Sequence, residues 1–215
     1  MNAFLSEAVA NKYDSYYDTT LGQKVDNIEK QIVASYLRDI PRQAVLELGC
    51  GTGHWTEFLS DMGFSVSAVD ISEAMLAVAT KKSLRNVIFQ KADAANLPFS
   101  NESFGIIVSI TMLEFTHDPK KVLSEIYRVL KSGGLLVLGC VNVSSELGKA
   151  KDNHQTYRNA TFFSKTELKE LLSVFGEPKI TECVYLSPAF EILDGAMEKY
   201  PVEGAFLAAC VRKTG

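Results

Sequence analysis

The residues with the clearest chemical purpose are Glu47-Leu48-Gly49-Cys50-Gly51-Thr52-Gly53, which close the apolar run AVLEL and lead into HWTEFLSDM. A strand that gives way to a helix through alternate glycines makes a tight turn whose backbone can approach a ligand closely, since no Cβ stands in the way. Asp70 ends the next apolar run, SVSAVD, 21 positions after Gly49. A carboxylate at the tip of the second strand of such a unit can accept hydrogen bonds from both hydroxyls of a ribose. Loop and carboxylate together point to a nucleoside ligand.

The kind of nucleoside follows from two departures. A dinucleotide-binding loop requires G-x-G-x-x-G/A, and here the sixth position is His54. Glu47, two residues before the first glycine, would repel a pyrophosphate but suits a cation such as the methionine end of S-adenosylmethionine. A nucleotide-dependent oxidoreductase is therefore the weaker reading. A non-enzymatic regulator or scaffold that binds the same cofactor would keep every one of these motifs.

Such residues need a scaffold. From residue 44 short apolar runs alternate with helical patterns: AVLEL, HWTEFLSDM, SVSAVD, SEAMLAVATKK and NVIFQ. FGIIVSI at 104–110 follows, then a helix over about 118–130, a Ser132-Gly133-Gly134 turn and the strand LLVLGCV. That order predicts βαβ units, hence an α/β fold with a doubly wound, mostly parallel sheet and helices on both faces. Ahead of it, Val25, Ile28, Ile32 and Tyr36 stand at helical spacing over 23–38, with Pro41 as a stop signal. Behind it, the polar stretch 144–160 reads as a loop or short helix, Ser164 to Glu167 as a capping box opening a helix that ends at Gly176, and 179–186 and 204–212 as two late strands.

Composition narrows the partners. A net charge of -4 offers no electrostatic footprint for phosphate backbones, which argues against nucleic acid. No window approaches the ~18 uninterrupted apolar residues of a membrane span, and the N-terminal residues lack the pattern of a secretory signal, so a cytoplasmic protein is expected. Cys50, Cys140, Cys183 and Cys210 are dispersed, with no zinc-like spacing, so free thiols and no metal are expected.

Taken together, VLELGCGTGHWT (45–56), VDIS (69–72), KADAANLPFSNESFGIIVS (91–109) and RVLKSGGLLVLG (128–139) resemble the class I S-adenosylmethionine-dependent methyltransferases, in particular the small-molecule branch that includes ubiquinone and menaquinone biosynthesis enzymes. The resemblance implies a Rossmann-like seven-stranded sheet in one domain over 1–215, with an N-terminal helical lid over 1–40, a cofactor-binding core over 41–143 and an acceptor-side, sheet-completing part over 144–215. It also implies that Gly49, Gly51 and Gly53 lie against the methionine and ribose of the cofactor, that Asp70 holds the ribose hydroxyls, that Ile71 packs on adenine, and that Asp93, with Ala94 beside it, meets the adenine amino group. The carbonyl of Ser109 or Ile110 would take the methionine ammonium, and Tyr13, Tyr16 and Tyr17 would belong to the lid. His54, Trp55 and Met75 are placed to touch the ligand or simply to pack.

Methyl transfer from a sulfonium needs alignment and water exclusion more than a catalytic triad. A general base matters only where the acceptor must lose a proton. Glu114 and His117, in TMLEFTHDP after the fourth strand, are the candidates, with Glu114 expected to face the acceptor. Quinone-pathway enzymes commonly carry a His near the Glu114-Phe115 pair, so a quinone acceptor is disfavoured. Phe115, Tyr157, Phe162 and Phe163 near the expected rim suggest a small, partly apolar methyl acceptor. Monomer and homodimer are both left open.

Overall fold

The computed structural model of the chain describes residues 3–154, 156–193 and 202–214. Five apolar runs become neighbouring parallel strands: β1 (Ala44–Leu48), β2 (Ser65–Asp70), β3 (Val87–Lys91), β4 (Phe104–Ile110) and β5 (Leu130–Val141). β6 (Lys179–Cys183) and β7 (Phe206–Arg212) complete a seven-stranded sheet in the order β3-β2-β1-β4-β5-β7-β6, with β7 antiparallel to both neighbours. The strand order turns back on itself between β1 and β4, the position where sheets of this kind bind ligands beyond the strand tips.

Helices cover both faces because alternate strand residues project to opposite sides. Val45, Val66, Ile106, Val108 and Val137 pack with Val25, Val33 and Leu37 of α2 (Thr20–Leu37) and Leu59 of α3 (His54–Asp61). Leu46, Leu48, Ile107, Leu136 and Leu138 form the second core with Val122, Leu123 and Ile126 of α5 (Pro119–Val129) and Leu168 and Leu172 of α7 (Lys165–Leu172). α4 (Glu73–Lys81) packs against β2 and β3, α1 (Glu7–Tyr13) packs on α4, and α6 (Glu146–Lys149) is a short turn in the polar stretch after β5. Among the described residues no helix is long and apolar enough to cross a membrane.

The differences from the sequence reading are local. Ser132-Gly133-Gly134 is an irregularity inside β5, where Phe104 pairs with Leu130 but Ile106 pairs with Leu135. The capping box at Ser164 and Glu167 is present with both hydrogen bonds, yet α7 stops at Leu172 and reaches Gly176 through a tighter turn in which the Phe175 amide donates to the Leu172 carbonyl. The late strands are shorter than expected, and residues 194–201 of the segment between them lie outside the described residues.

Candidate active site

The loop after β1 bends because three glycines take positive φ. The amides of Gly49 and Cys50 both donate to the Val69 carbonyl, at 2.8 and 3.0 Å, which ties the loop to the end of β2. Gly49 faces Met112 so closely that a Cβ would lie 2.2 Å from Met112 Cγ. At Gly51 a Cβ would meet nothing within 4 Å, so bare backbone opens onto free space there. Gly53 is the N-cap of α3 and packs near Ala79 and Phe89.

Asp70 completes the turn from the neighbouring strand. Its Oδ2 accepts the Gly51 amide at 2.8 Å and its Oδ1 the Ser72 amide at 2.8 Å, which fixes the carboxylate while each oxygen keeps lone-pair capacity. Burial raises its pKa, and the two amides act against that rise. Ser72 itself caps α4, so Asp70 both shapes the helix start and faces the cavity beside it.

That cavity, of about 560 Å³, gathers most of the residues singled out from sequence. Gly49, Gly51 and Asp70 form one side, with Ile71, Met75, Asp93 and Ala94 beyond them and Ile110 at the tip of β4. Ile71 is 46% exposed although apolar, because its side chain stands on the cavity wall. Asp93 also bonds locally, its Oδ1 accepting the Ala95 amide at 2.9 Å. Tyr13, Tyr17, His54 and Trp55 also line the cavity, as does the exposed His117.

Four expected residues lie elsewhere. Glu47 sits in register between Ala68 and Val108 in the middle of the sheet, so the strand pleat encloses its side chain and keeps it off the cavity wall. It is 2% exposed, its Oε2 has no hydrogen-bond partner among the described residues, and burial lifts its pKa to about 7. Ser109 is buried and donates to the Leu48 carbonyl at 3.1 Å. Gly53 stays behind the loop. Glu114 is 1% exposed and lines neither this cavity nor its neighbour. Its Oε1 accepts the Val141 amide at 2.8 Å and its carbonyl the Thr161 amide at 2.7 Å, so it fastens the end of β5 to the following loop. The expectation that Glu114 faces an acceptor is thereby corrected. Phe162 and Phe163 are likewise buried off both walls, whereas Phe115 lines the first cavity and Tyr157 the second.

The N-terminal segment closes over this site through specific bonds. Ser72 Oγ donates to the Phe4 carbonyl at 2.7 Å, Thr52 bonds Asp14, and Lys82 pairs with Asp14 at 2.8 Å. His54 stacks on Tyr17 with ring centroids 3.5 Å apart. Behind Phe4, Tyr13, Tyr17, Trp55 and Thr111, which form a shared wall, lies a second and mainly apolar cavity of about 880 Å³. Thr111 holds a left-handed backbone (φ 48°), unusual for a branched residue, while its amide donates to the Gly139 carbonyl at 2.7 Å. Phe4, Thr111 and the cavity-lining Glu29 of α2 escaped the sequence reading; only the position of Thr111 just past β4 could have drawn notice.

The residues present suit S-adenosylmethionine. Bare backbone at Gly51, an anchored carboxylate at Asp70 and an apolar platform at Ile71 supply polar and apolar contacts in a cavity of ordinary ligand size. Comparisons with known proteins agree. A methyltransferase domain model matches residues 46–138. An uncharacterized protein of Methanocaldococcus jannaschii is 32% identical over 219 residues, covering 99% of this chain and all of that protein. A demethylmenaquinone methyltransferase of Renibacterium salmoninarum is 36% identical over 63% of this chain and 56% of its own length. Among solved structures, a Thermotoga maritima protein described as a SAM-dependent methyltransferase, "possible histamine N-methyltransferase", superposes with a TM-score of 0.78 at 30% identity over 98% of this chain and 99% of its own. Matched along its length by a solved SAM-dependent methyltransferase and over its core by the methyltransferase domain model, the chain belongs to the class I S-adenosylmethionine-dependent methyltransferases.

Proposed function

We propose that the chain methylates a small molecule, with the cofactor over the glycine loop and the acceptor in the adjoining apolar cavity. The observation that carries this reading is the wall of Phe4, Tyr13, Tyr17, Trp55 and Thr111 common to both cavities, since an acceptor there would adjoin the methionine end of the cofactor. S-adenosylmethionine, when bound, would supply an electrophilic methyl carbon to the acceptor's lone pair, with S-adenosylhomocysteine as the leaving product.

Each remaining role belongs to this chain. Asp70 accepts from the ribose hydroxyls, Ile71 and Met75 flank the adenine, Asp93 and Ala94 border its edge, and backbone near Ile110 receives the methionine ammonium. Tyr13 and Tyr17 stay protonated, because burial raises both phenols, so they contribute aromatic surface and hydroxyl groups without negative charge. Together with Phe4 they exclude water and align the reactants. His117 lines only the exposed side of the first cavity and is given no proton-transfer role. A pure cofactor-binding regulator would have no need of an acceptor chamber, and that chamber favours catalysis.

Calorimetry with S-adenosylmethionine and S-adenosylhomocysteine, followed by transfer of a labelled methyl group to metabolite pools, tests this assignment. Label is expected in the low-molecular-weight fraction. Label found only in protein or nucleic acid would reject the small-molecule acceptor.

A further inference from the structure

The second cavity is lined by a carboxyl group with no direct counter-ion among the described residues. Glu29 lines it from α2 and makes no hydrogen bond or ion pair among the described residues. Its neighbour Lys30 would be the natural counter-ion, but Lys30 Nζ lies 2.8 Å from Asp26 Oδ2 and 2.9 Å from His54 Nε2, over the rings of Trp55 and Phe58. Partly desolvated inside the cavity and beside the negative Asp26, Glu29 has its pKa pushed up to about 8.

The charges around it are few. Asp26 and Lys30 on its own helix and Glu114 from the segment after β4 act on it. Lys12 and His154 also line the cavity, but both are exposed. The same cavity wall carries several aromatic rings, Tyr13, Tyr16, Tyr17, Trp55 and Tyr157, of which Tyr13, Tyr17 and Trp55 also line the first cavity. Burial raises Tyr16 to about 12 and Tyr157 further, so those rings stay neutral and present electron-rich faces.

We infer that Glu29 receives the nitrogen of a small lipophilic amine, whose apolar body lies against the tyrosine and tryptophan rings, and that this amine is the methyl acceptor. The second half of the inference rests on the methyltransferase reading above; the binding half does not. Aromatic faces and one carboxyl group favour a cation over every other ligand charge. A carboxylate ligand would lie against electron-rich ring faces, and an alcohol could hydrogen-bond the neutral acid but, unlike an amine, could not convert it into an ion pair. The chemistry closes without a further reactant. An ammonium ion entering beside protonated Glu29 displaces that proton to solvent and leaves an ion pair. The ammonium then gives one N–H proton to the Glu29 carboxylate, which becomes the carboxylic acid, while the nitrogen regains the lone pair it needs for attack.

Binding can be read without turnover. Phenethylamine and hexylamine, each against its alcohol analogue, and phenylacetate are titrated into the wild-type protein with and without S-adenosylhomocysteine, at pH 7 in two buffers of different ionisation enthalpy. The amines are expected to bind about tenfold or more tightly than the alcohols, with phenylacetate weakest and with proton release seen as a buffer-dependent heat. Glu29→Gln should remove both the preference and the proton release, while S-adenosylhomocysteine affinity stays within about twofold. Equal affinity for amine and alcohol, tighter binding of phenylacetate, binding of neither amine, or an unchanged preference in the variant would overturn the proposal. If the variant fails to fold, the wild-type comparison of amine with alcohol still decides. Failure of S-adenosylhomocysteine to bind would instead strike the methyltransferase reading, because amine binding is scored in its absence as well.

Discussion

Asp26 Oδ1 and His54 Nε2 lie 2.7 Å apart, which joins the second turn of α2 to the first residue of α3, directly behind the glycine loop. Burial alone would raise the Asp26 pKa, but hydrogen bonds from His54 and Lys30 outweigh it and the net shift is downward. The contribution of this carboxylate to stability is therefore present above its ordinary value near 4 and is lost as pH falls through the lowered one. Asp26→Ala should cost about 1–3 kcal/mol, as charge-assisted hydrogen bonds in a partly buried setting do. The expected readings are a Tm lower by several degrees at pH 7, a smaller difference from wild type near pH 3, and a severalfold weaker affinity for S-adenosylhomocysteine.

Asp70 and Glu114 should separate cleanly. Asp70→Ala is expected to weaken S-adenosylhomocysteine binding by about a hundredfold or more, since each buried hydrogen bond to a charged group contributes about 1.5–3 kcal/mol. Glu114→Ala leaves the Val141 amide unsatisfied inside the protein and should lower stability by about 1–3 kcal/mol. Its binding isotherm with the same ligand should match wild type. Calorimetric titration and thermal unfolding of both variants check the division, and a large binding loss in Glu114→Ala would contradict it.

Two glycines of the loop should fail for different reasons. Gly51→Ala places a methyl group in open space, so the fold should lose only the about 1–2 kcal/mol of a left-handed backbone, while cofactor affinity falls by about tenfold or more. Gly49→Ala drives a Cβ into Met112 and should chiefly lower Tm. Melting curves and S-adenosylhomocysteine titrations for the pair should show opposite rankings.

Two buried carboxyl groups, Glu47 and Glu114, and the half-buried Glu29 set a pH dependence for the ligand-free protein. Burial holds Glu47 and Glu114 near 7 and Glu29 near 8, all above their ordinary value of 4.5. Raised acids bind more protons folded than unfolded, so the stability they confer is complete below about 4.5 and drains away as pH rises through 7 to 8. Tm should decline between pH 5.5 and 8.5, and Glu47→Gln should flatten part of that decline. A Tm that rises across this interval would refute the shifts.

The sheet was largely legible because buried strands announce themselves. β1, β2 and β4 coincide with AVLEL, SVSAVD and FGIIVSI, since a parallel strand covered on both faces must be apolar along its length. Site residues whose backbone forms the loop, such as Gly49 and Gly51, were equally plain. Glu47 misled because distance along the chain does not reveal which side of a pleat a residue takes. Glu29 was invisible because Val25, Ile28 and Ile32 already account for the apolar stripe of α2, so the glutamate next to it reads as solvated. Ala8, Val9 and Tyr13 of α1 line the same cavity as Glu29, a juxtaposition no local pattern encodes. Phe162 and Phe163 failed likewise, since aromatic character alone does not distinguish a rim from a core.

The placement of β7 between β5 and β6 has a consequence for biosynthesis. During synthesis β6 is made before the strand that will hold it, so on the ribosome both it and the Leu135–Val141 edge of β5 wait with unpaired amides and carbonyls until residues 206–212 emerge. The nascent chain therefore carries an apolar, adhesive border from the completion of β5 until β7 is made. A stalled or truncated product lacking that single strand would be a natural client for chaperones and a seed for aggregation.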